Sequence, residues 1–140
     1  MKKYNSGSAE DTFVIASELA LSFKPNTVVA LRGDLGAGKT TFVKGIAKGL
    51  GADPDMISSP TFSYLNIYEA KIPIFHFDLY RLRTKEQFET SGFEEFFNAG
   101  GVTCIEWPDL SLPSLPKETI FIDFRHLGEE QREIAVHDSI

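Results

Sequence analysis

Eight consecutive residues, Gly33-Asp34-Leu35-Gly36-Ala37-Gly38-Lys39-Thr40, satisfy G-x-x-x-x-G-K-[ST] at every specified position. Each residue type there answers a requirement of phosphate binding. Glycines let the backbone curl round an anion so that successive N–H groups and a helix N-terminus face it. Lys39 would reach β- and γ-phosphates as a point charge, and the Thr40 hydroxyl would take one position on Mg²⁺. The competing reading is a glycine-rich turn that merely joins a strand to a helix. Two acids could complete such a site, because open α/β sheets bind ligands at the carboxyl ends of parallel strands. Asp78 lies near the end of one apolar run and Glu106 at the end of another, just before Trp107-Pro108. Either could hold Mg²⁺, directly or through water, or orient the attacking water; the alternative for each is a strand-end acid facing solvent. His76 falls two residues before Asp78 on the same strand face, and reads as a structural histidine or a participant. Trp107 could stack on a base or a partner, or pack beside a strand.

The elements needed to position these residues are legible around them. Thr27 to Arg32 is short, β-branched and bounded by Pro25-Asn26 and Gly33, as a buried strand is. From Lys39, residues Phe42, Val43, Ile46, Ala47 and Leu50 keep a helical period, with Gly51 as the stop. The motif thus sits between a strand and a helix, where it must sit to work. Before it, Ser8 with Asp11 fits a capping box, and Phe13, Ala16, Ala20 and Phe23 continue a first amphipathic helix. After it, Phe62 to Tyr68 and Ile72 to Tyr80 suggest an antiparallel hairpin with Pro73 at an edge. Within the second run, Ile74, His76, Asp78 and Tyr80 share one face, and Phe75, Phe77 and Leu79 the other. Thr84 with Gln87 and Ser91 with Glu94 predict short helices over 85–90 and 92–98, ended by Gly100-Gly101. Val102 to Trp107 reads as a buried strand, and Thr119 to Phe124 with Arg132 to His137 as a last strand pair. The expected fold is α/β, a P-loop NTPase-like domain with a central mixed β-sheet flanked by helices.

With 140 residues, 42% of them apolar and 24% charged, the chain is expected to form a single domain over residues 1–140. Its net charge of −6 disfavours direct, tight binding to a nucleic-acid backbone by this chain alone. The single cysteine, Cys104, rules out an internal disulfide and a multi-cysteine zinc site, and suits a strand in a reducing compartment. No apolar signal segment follows Lys2-Lys3, and no unbroken apolar run approaches the roughly 20 residues of a membrane span, so a cytoplasmic protein is expected.

Four blocks together carry a resemblance: Gly33 to Thr41, Ser59-Pro60-Thr61-Phe62, His76-Phe77-Asp78-Leu79-Tyr80-Arg81-Leu82, and Ile105-Glu106-Trp107-Pro108. They resemble the TsaE (YjeE) family, small P-loop ATPases of bacterial tRNA threonylcarbamoyladenosine biosynthesis. The blocks span more than half of the chain; the phosphate loop is shared by many ATPases, whereas the His-x-Asp-x-Tyr-Arg and Glu-Trp-Pro blocks are far more specific. The resemblance implies ATP and Mg²⁺ as cofactors, weak intrinsic hydrolysis, and action with a TsaB–TsaD complex that this chain would reset by ATP turnover. Contact with tRNA would then be indirect, through that complex. It also implies site roles: Gly36, Ala37, Gly38, Lys39, Thr40 and Thr41 on the phosphates, Thr40 and Glu106 on Mg²⁺, and Asp78 as the second acid needed for turnover. Lys39, Asp78 and Glu106 are thus the expected catalytic set. Ser59 to Thr61 is similar to the family's switch-like loop, Arg132 to a nucleotide-contacting residue, and Ser8 to Glu10 to a segment beside the adenine.

Two other classes fit the phosphate loop. A small-molecule or nucleoside kinase would need an acceptor site and an arginine-bearing lid, which Arg81, Arg83 or Arg125 could supply, although 140 residues leave little chain for both. A guanine-nucleotide switch is disfavoured, because neither Asn-Lys-x-Asp nor Asp-x-x-Gly occurs.

Overall fold

The computed structural model describes residues 1–34, 36–60 and 63–137. Leu35, Thr61 of the switch-like segment and Phe62 of the predicted hairpin lie outside the described residues, as do positions 138–140. Seven strands form one sheet: β1 (Lys2–Ser6), β2 (Val28–Arg32), β3 (Leu65–Tyr68), β4 (Ile74–Asp78), β5 (Val102–Glu106), β6 (Ile120–His126) and β7 (Arg132–His137). Their order is β1-β7-β6-β2-β5-β4-β3. The four inner strands β6, β2, β5 and β4 run parallel, while β3, β7 and β1 join antiparallel at the two sides. This is the mixed sheet expected from the sequence.

Parallel strands must be covered on both faces, and each face has its own apolar cluster. Helices α1 (Ala9–Ala20) and α2 (Lys39–Gly49) cover one face, where Ala16, Ala20, Phe42, Val43 and Ile46 meet Val29, Leu31, Ile74, Val102, Cys104 and Ile122. On the other face α3 (Lys85–Thr90) and 3₁₀ segments over Phe93–Asn98 and Pro108–Ser114 bury Phe88 and Phe97 against Val28, Phe75, Phe77 and Ile105. The two faces of β4 divide as its alternation predicts. The helices α1 and α2 approach closely, because Gly45 and Gly49 carry no Cβ toward Phe13, Ala16, Ser17 and Ala20. No helix among the described residues is long and apolar enough to cross a membrane.

Several local expectations are corrected. Pro73 is not at a sheet edge: it precedes β4, an inner strand, and its carbonyl accepts from Val102 N–H, so the missing proline N–H costs no ladder bond. The capping box at Thr84 and Gln87 forms in full, but the one at Ser91 and Glu94 does not. Ser91 instead closes α3, its hydroxyl donating to the Gln87 carbonyl, and Gly92 in the left-handed region opens a 3₁₀ segment rather than a helix. In α1 the buried face is Thr12, Ala16 and Ala20, with Phe13 and Phe23 only partly buried and Phe23 beyond the helix end. The first strand, β1, was not foreseen. It is polar and mostly exposed, and it forms by pairing with β7, Lys2 opposite Val136 through Ser6 opposite Arg132.

Candidate nucleotide site

The phosphate loop leaves the carboxyl end of β2 and enters α2, so its position is set by a strand in the middle of the sheet and a helix packed across it. Gly36 (φ +77°) and Gly38 (φ +102°) hold the left-handed backbone that lets the loop curl. Gly38 also serves as N-cap of α2 and offers no side-chain acceptor to the first turn, so the helix's leading N–H groups are directed to the loop's interior. Arg132, from the start of β7, grips the loop from outside. Its Nη2 donates to the Gly36 carbonyl at 3.1 Å and its Nε to the Ala37 carbonyl at 3.2 Å. Because a peptide's N–H points opposite to its carbonyl, the grip on Ala37 turns the Gly38 N–H away from Arg132.

Lys39 is buried at 4% exposure with its ammonium donating to the Gly33 carbonyl and lying 3.3 Å from the centroid of the Trp107 ring. Burial pulls its pKa below the ordinary lysine value, outweighing the carboxylates of Glu106, Asp78, Asp34 and Asp109, which act the other way. The cation is thus held by a carbonyl and a ring face, an arrangement a phosphate oxygen can join. Trp107 takes a left-handed conformation (φ 56°, ψ 61°) just before Pro108, where side-chain-bearing residues seldom sit, and its ring also meets Tyr80 at 4.8 Å. Among the described residues its ring therefore meets Lys39 and Tyr80.

The parallel pairing of β4 with β5 places Asp78 opposite Glu106 at the carboxyl end of the sheet. Glu106 is buried at 4% exposure, not the solvent-facing acid that its position also allowed. The Thr40 hydroxyl donates to its Oε2 at 3.0 Å, and His76 Nε2 lies 2.6 Å from the same oxygen. Asp78 is half-buried, one oxygen accepting from the Ser59 hydroxyl and the other from the Tyr80 N–H, each at 3.0 Å. Burial, reinforced by the Glu106 charge, pushes the Cys104 thiol far above its usual range, so Cys104 is an inert core residue.

Two cavities meet along Gly36, Gly38 and Thr41. One, of about 320 Å³, is lined by Lys39, Thr40, Ser59, Asp78, Glu106 and Trp107. The other, of about 280 Å³, runs from the loop to Ser8, Ala9, Thr12, Glu129, Glu130 and Arg132. The structure therefore brings together every expected site residue from Gly36 to Thr41 with Asp78, Glu106 and Arg132. Of the Ser8 to Glu10 stretch, Ser8 and Ala9 line the second cavity while Glu10 is exposed outside it. Thr12, Glu129 and Glu130 also line the second cavity without being marked by any motif; Thr12 is signalled only by its place one turn after Ser8 on the same helix face. Among the arginines considered for a lid, Arg125 pairs with Glu133 at 3.3 Å on the far strands, and none lines either cavity. No group of three or more His, Cys, Asp or Glu side chains able to hold a metal occurs among the described residues. One hydroxyl and one or two carboxylates are nevertheless the donor set that suits Mg²⁺, which keeps several waters and takes further oxygens from substrate phosphates.

A phosphate loop leaving the central strand of a mostly parallel sheet, with acids at the ends of neighbouring strands, defines a P-loop type α/β fold. A crystal structure of Bacillus subtilis YdiB superposes with a TM-score of 0.77 at 37% identity, over 95% of this chain and 82% of that one. The family described as threonylcarbamoyl adenosine biosynthesis protein TsaE matches residues 6–134. The tRNA threonylcarbamoyladenosine biosynthesis protein TsaE of Bacillus subtilis is 40% identical over 134 residues, 95% of this chain and 83% of its own. That of Treponema pallidum is 40% identical over 131 residues, 94% of this chain and 96% of its own. The chain belongs to the TsaE family.

Proposed function

We propose that this chain binds Mg-ATP, hydrolyses it slowly on its own, and works in tRNA threonylcarbamoyladenosine biosynthesis by resetting a TsaB–TsaD complex through ATP turnover. The observation that supports this most is the convergence of Lys39, Thr40, Asp78 and Glu106, carried by α2, β4 and β5, on one cavity beside the phosphate loop. In this scheme the loop N–H groups and Lys39 bind the β- and γ-phosphates, and Thr40 and Glu106 hold Mg²⁺. Mg²⁺ held by those residues would supply charge neutralisation to the phosphates. Asp78, fixed at both oxygens by Ser59 and the Tyr80 backbone, orients the attacking water. The nucleoside lies toward Ser8, Thr12 and Arg132. The net charge of −6 fits a protein that meets tRNA only through its partners.

ATP hydrolysis by the chain alone, then with TsaB–TsaD and tRNA, tests the proposal. Slow basal turnover, strongly stimulated by the complex and reduced about 100-fold or more by Lys39→Ala, is expected. Fast turnover by the chain alone, or turnover that ignores the complex, would remove the pathway role and leave only the phosphate site.

A further inference from the structure

His76 has no part in the scheme above, yet it is the one histidine of this chain with no exposed surface, and it sits directly behind Glu106. The β4–β5 register explains the contact. His76 lies opposite Cys104 and Asp78 opposite Glu106, so His76 and Glu106 are diagonal neighbours on one face. Their heavy atoms, Nε2 and Oε2, are 2.6 Å apart, a separation that requires a hydrogen between them. With the carboxylate as acceptor, as it also is toward the Thr40 hydroxyl, Nε2–H is the donor. A bare Nε2 would place two lone pairs face to face. The second ring nitrogen, Nδ1, is buried and has no hydrogen-bond partner among the described residues. With Nε2–H as the donor, an unpaired Nδ1 acceptor costs less than an orphan N–H would. A histidine kept merely to fill the core would be served by a partner at either nitrogen; this one is engaged solely through the atom that faces the carboxylate.

Glu106 is consequently held from two sides. The Thr40 hydroxyl reaches Oε2 from α2 at 3.0 Å, and His76 reaches the same oxygen from β4. Oε1 is the less engaged oxygen, 3.3 Å from Thr40. Rotation about the terminal torsion of a glutamate is otherwise broad, so two donors on Oε2 select one carboxylate plane.

We infer that His76 is a positioning residue for Glu106: its Nε2–H anchors Oε2 and thereby keeps Oε1 available for the hydrated cation that accompanies the nucleotide. This rests on the Mg-nucleotide reading above. It assigns His76 no contact with nucleotide or metal; the residue acts through Glu106 alone, as partners that orient metal-binding carboxylates do elsewhere.

The test is calorimetric titration of Mg²⁺ into the full chain with ADP, which needs no turnover. His76→Leu keeps the bulk without the donor, and His76→Gln restores an N–H at similar reach. Loss of the anchor should raise the Mg²⁺ concentration for half-maximal binding about 10- to 100-fold in His76→Leu, with metal-free ADP affinity changed less than about 3-fold and most of the loss recovered in His76→Gln. In a Glu106→Ala background His76→Leu should add nothing. A folded His76→Leu protein with unchanged Mg²⁺ dependence, or one whose effect is undiminished without Glu106, overturns the inference. If His76→Leu does not fold, His76→Gln is compared with His76→Asn, whose amide is one methylene short; equal Mg²⁺ dependence of the two overturns it equally. Wild-type protein that binds ADP with no Mg²⁺ dependence overturns the underlying reading and this one together, whereas normal wild-type behaviour with an unaffected variant removes only the role of His76.

Discussion

Replacing Gly45 by alanine tests how tightly α2, and with it the first turn bearing Lys39 and Thr40, is held. A Cβ at position 45 would stand 2.4 Å from the Phe13 carbonyl oxygen and 2.6 Å from Ala16 Cβ. Neither neighbour is the movable end of a side chain, so no rotamer change relieves the overlap. The two helices would have to part by about 1 Å to regain an ordinary van der Waals distance. Parting also stretches the hydrogen bond from Ser17 Oγ to the Gly45 carbonyl, now 3.1 Å. Overpacking of this kind costs about 1–3 kcal/mol, and the upper end applies because whole helices must move. Against it, alanine gains about 1 kcal/mol of helix propensity over glycine. The net expectation is a loss of about 1–2 kcal/mol, or a fall of about 4–8 °C in Tm for a domain of this size. Urea unfolding of Gly45→Ala beside Lys48→Ala, an exposed change in the same helix, measures it; the control should stay within about 0.5 kcal/mol. An unchanged or raised midpoint for Gly45→Ala would show slack between the helices and refute the reasoning.

Two further outcomes rest on side-chain geometry away from the site. Burial pulls the Asp123 pKa up, but hydrogen bonds and charge from Arg32 (2.6 Å) and His137 (2.7 Å) outweigh it and hold the carboxyl below its ordinary value. A depressed acid contributes stability that is present above its unfolded pKa and lost as pH falls through the folded one. Urea midpoints of Asp123→Asn should therefore lie below wild type at neutral pH and converge with it below about pH 4, and parallel profiles would count against the pairing. At the α3 boundary, Thr84→Ala should cost about 1 kcal/mol because its cap is formed, whereas the Ser91–Glu94 box is absent, so Glu94→Ala should be near neutral; equal losses in urea titrations would contradict this.

The parts of the site that could be read in advance are those written contiguously. The phosphate loop is eight adjacent residues between a β-branched run and a periodic one, and its conformation follows from glycine placement. Asp78 and Glu106 were recognisable as strand-end acids, but which of them is buried depends on what covers each strand end, and only the folded chain decides that Glu106 is enclosed. The His76–Glu106 contact depends on register between strands nearly thirty positions apart, which no local pattern encodes. Arg132 reaches the loop carbonyls across the sheet for the same reason. Strand β1 escaped because Lys2 to Ser6 has no apolar alternation; its backbone pairing with β7, not its side chains, makes it a strand. The unformed box at Ser91 shows local signals in competition, since that hydroxyl found the last turn of α3 before it could begin another helix.

The union of β1 with β7 also orders events during synthesis. The five residues of β1 find no strand partner until β7 has been made, more than a hundred residues later, a long loop closure of the kind that slows folding. The cavity bounded by Ser8 and Thr12 on one side and Glu129 and Arg132 on the other is assembled by that same closure. A nascent chain can shape its phosphate loop early, yet it gains the wall beside that loop only once β1 and β7 have met. Occupancy of this cavity by a nucleoside would consequently report that β7 has docked on β1, and a ligand bound there would stabilise the seam between those two strands.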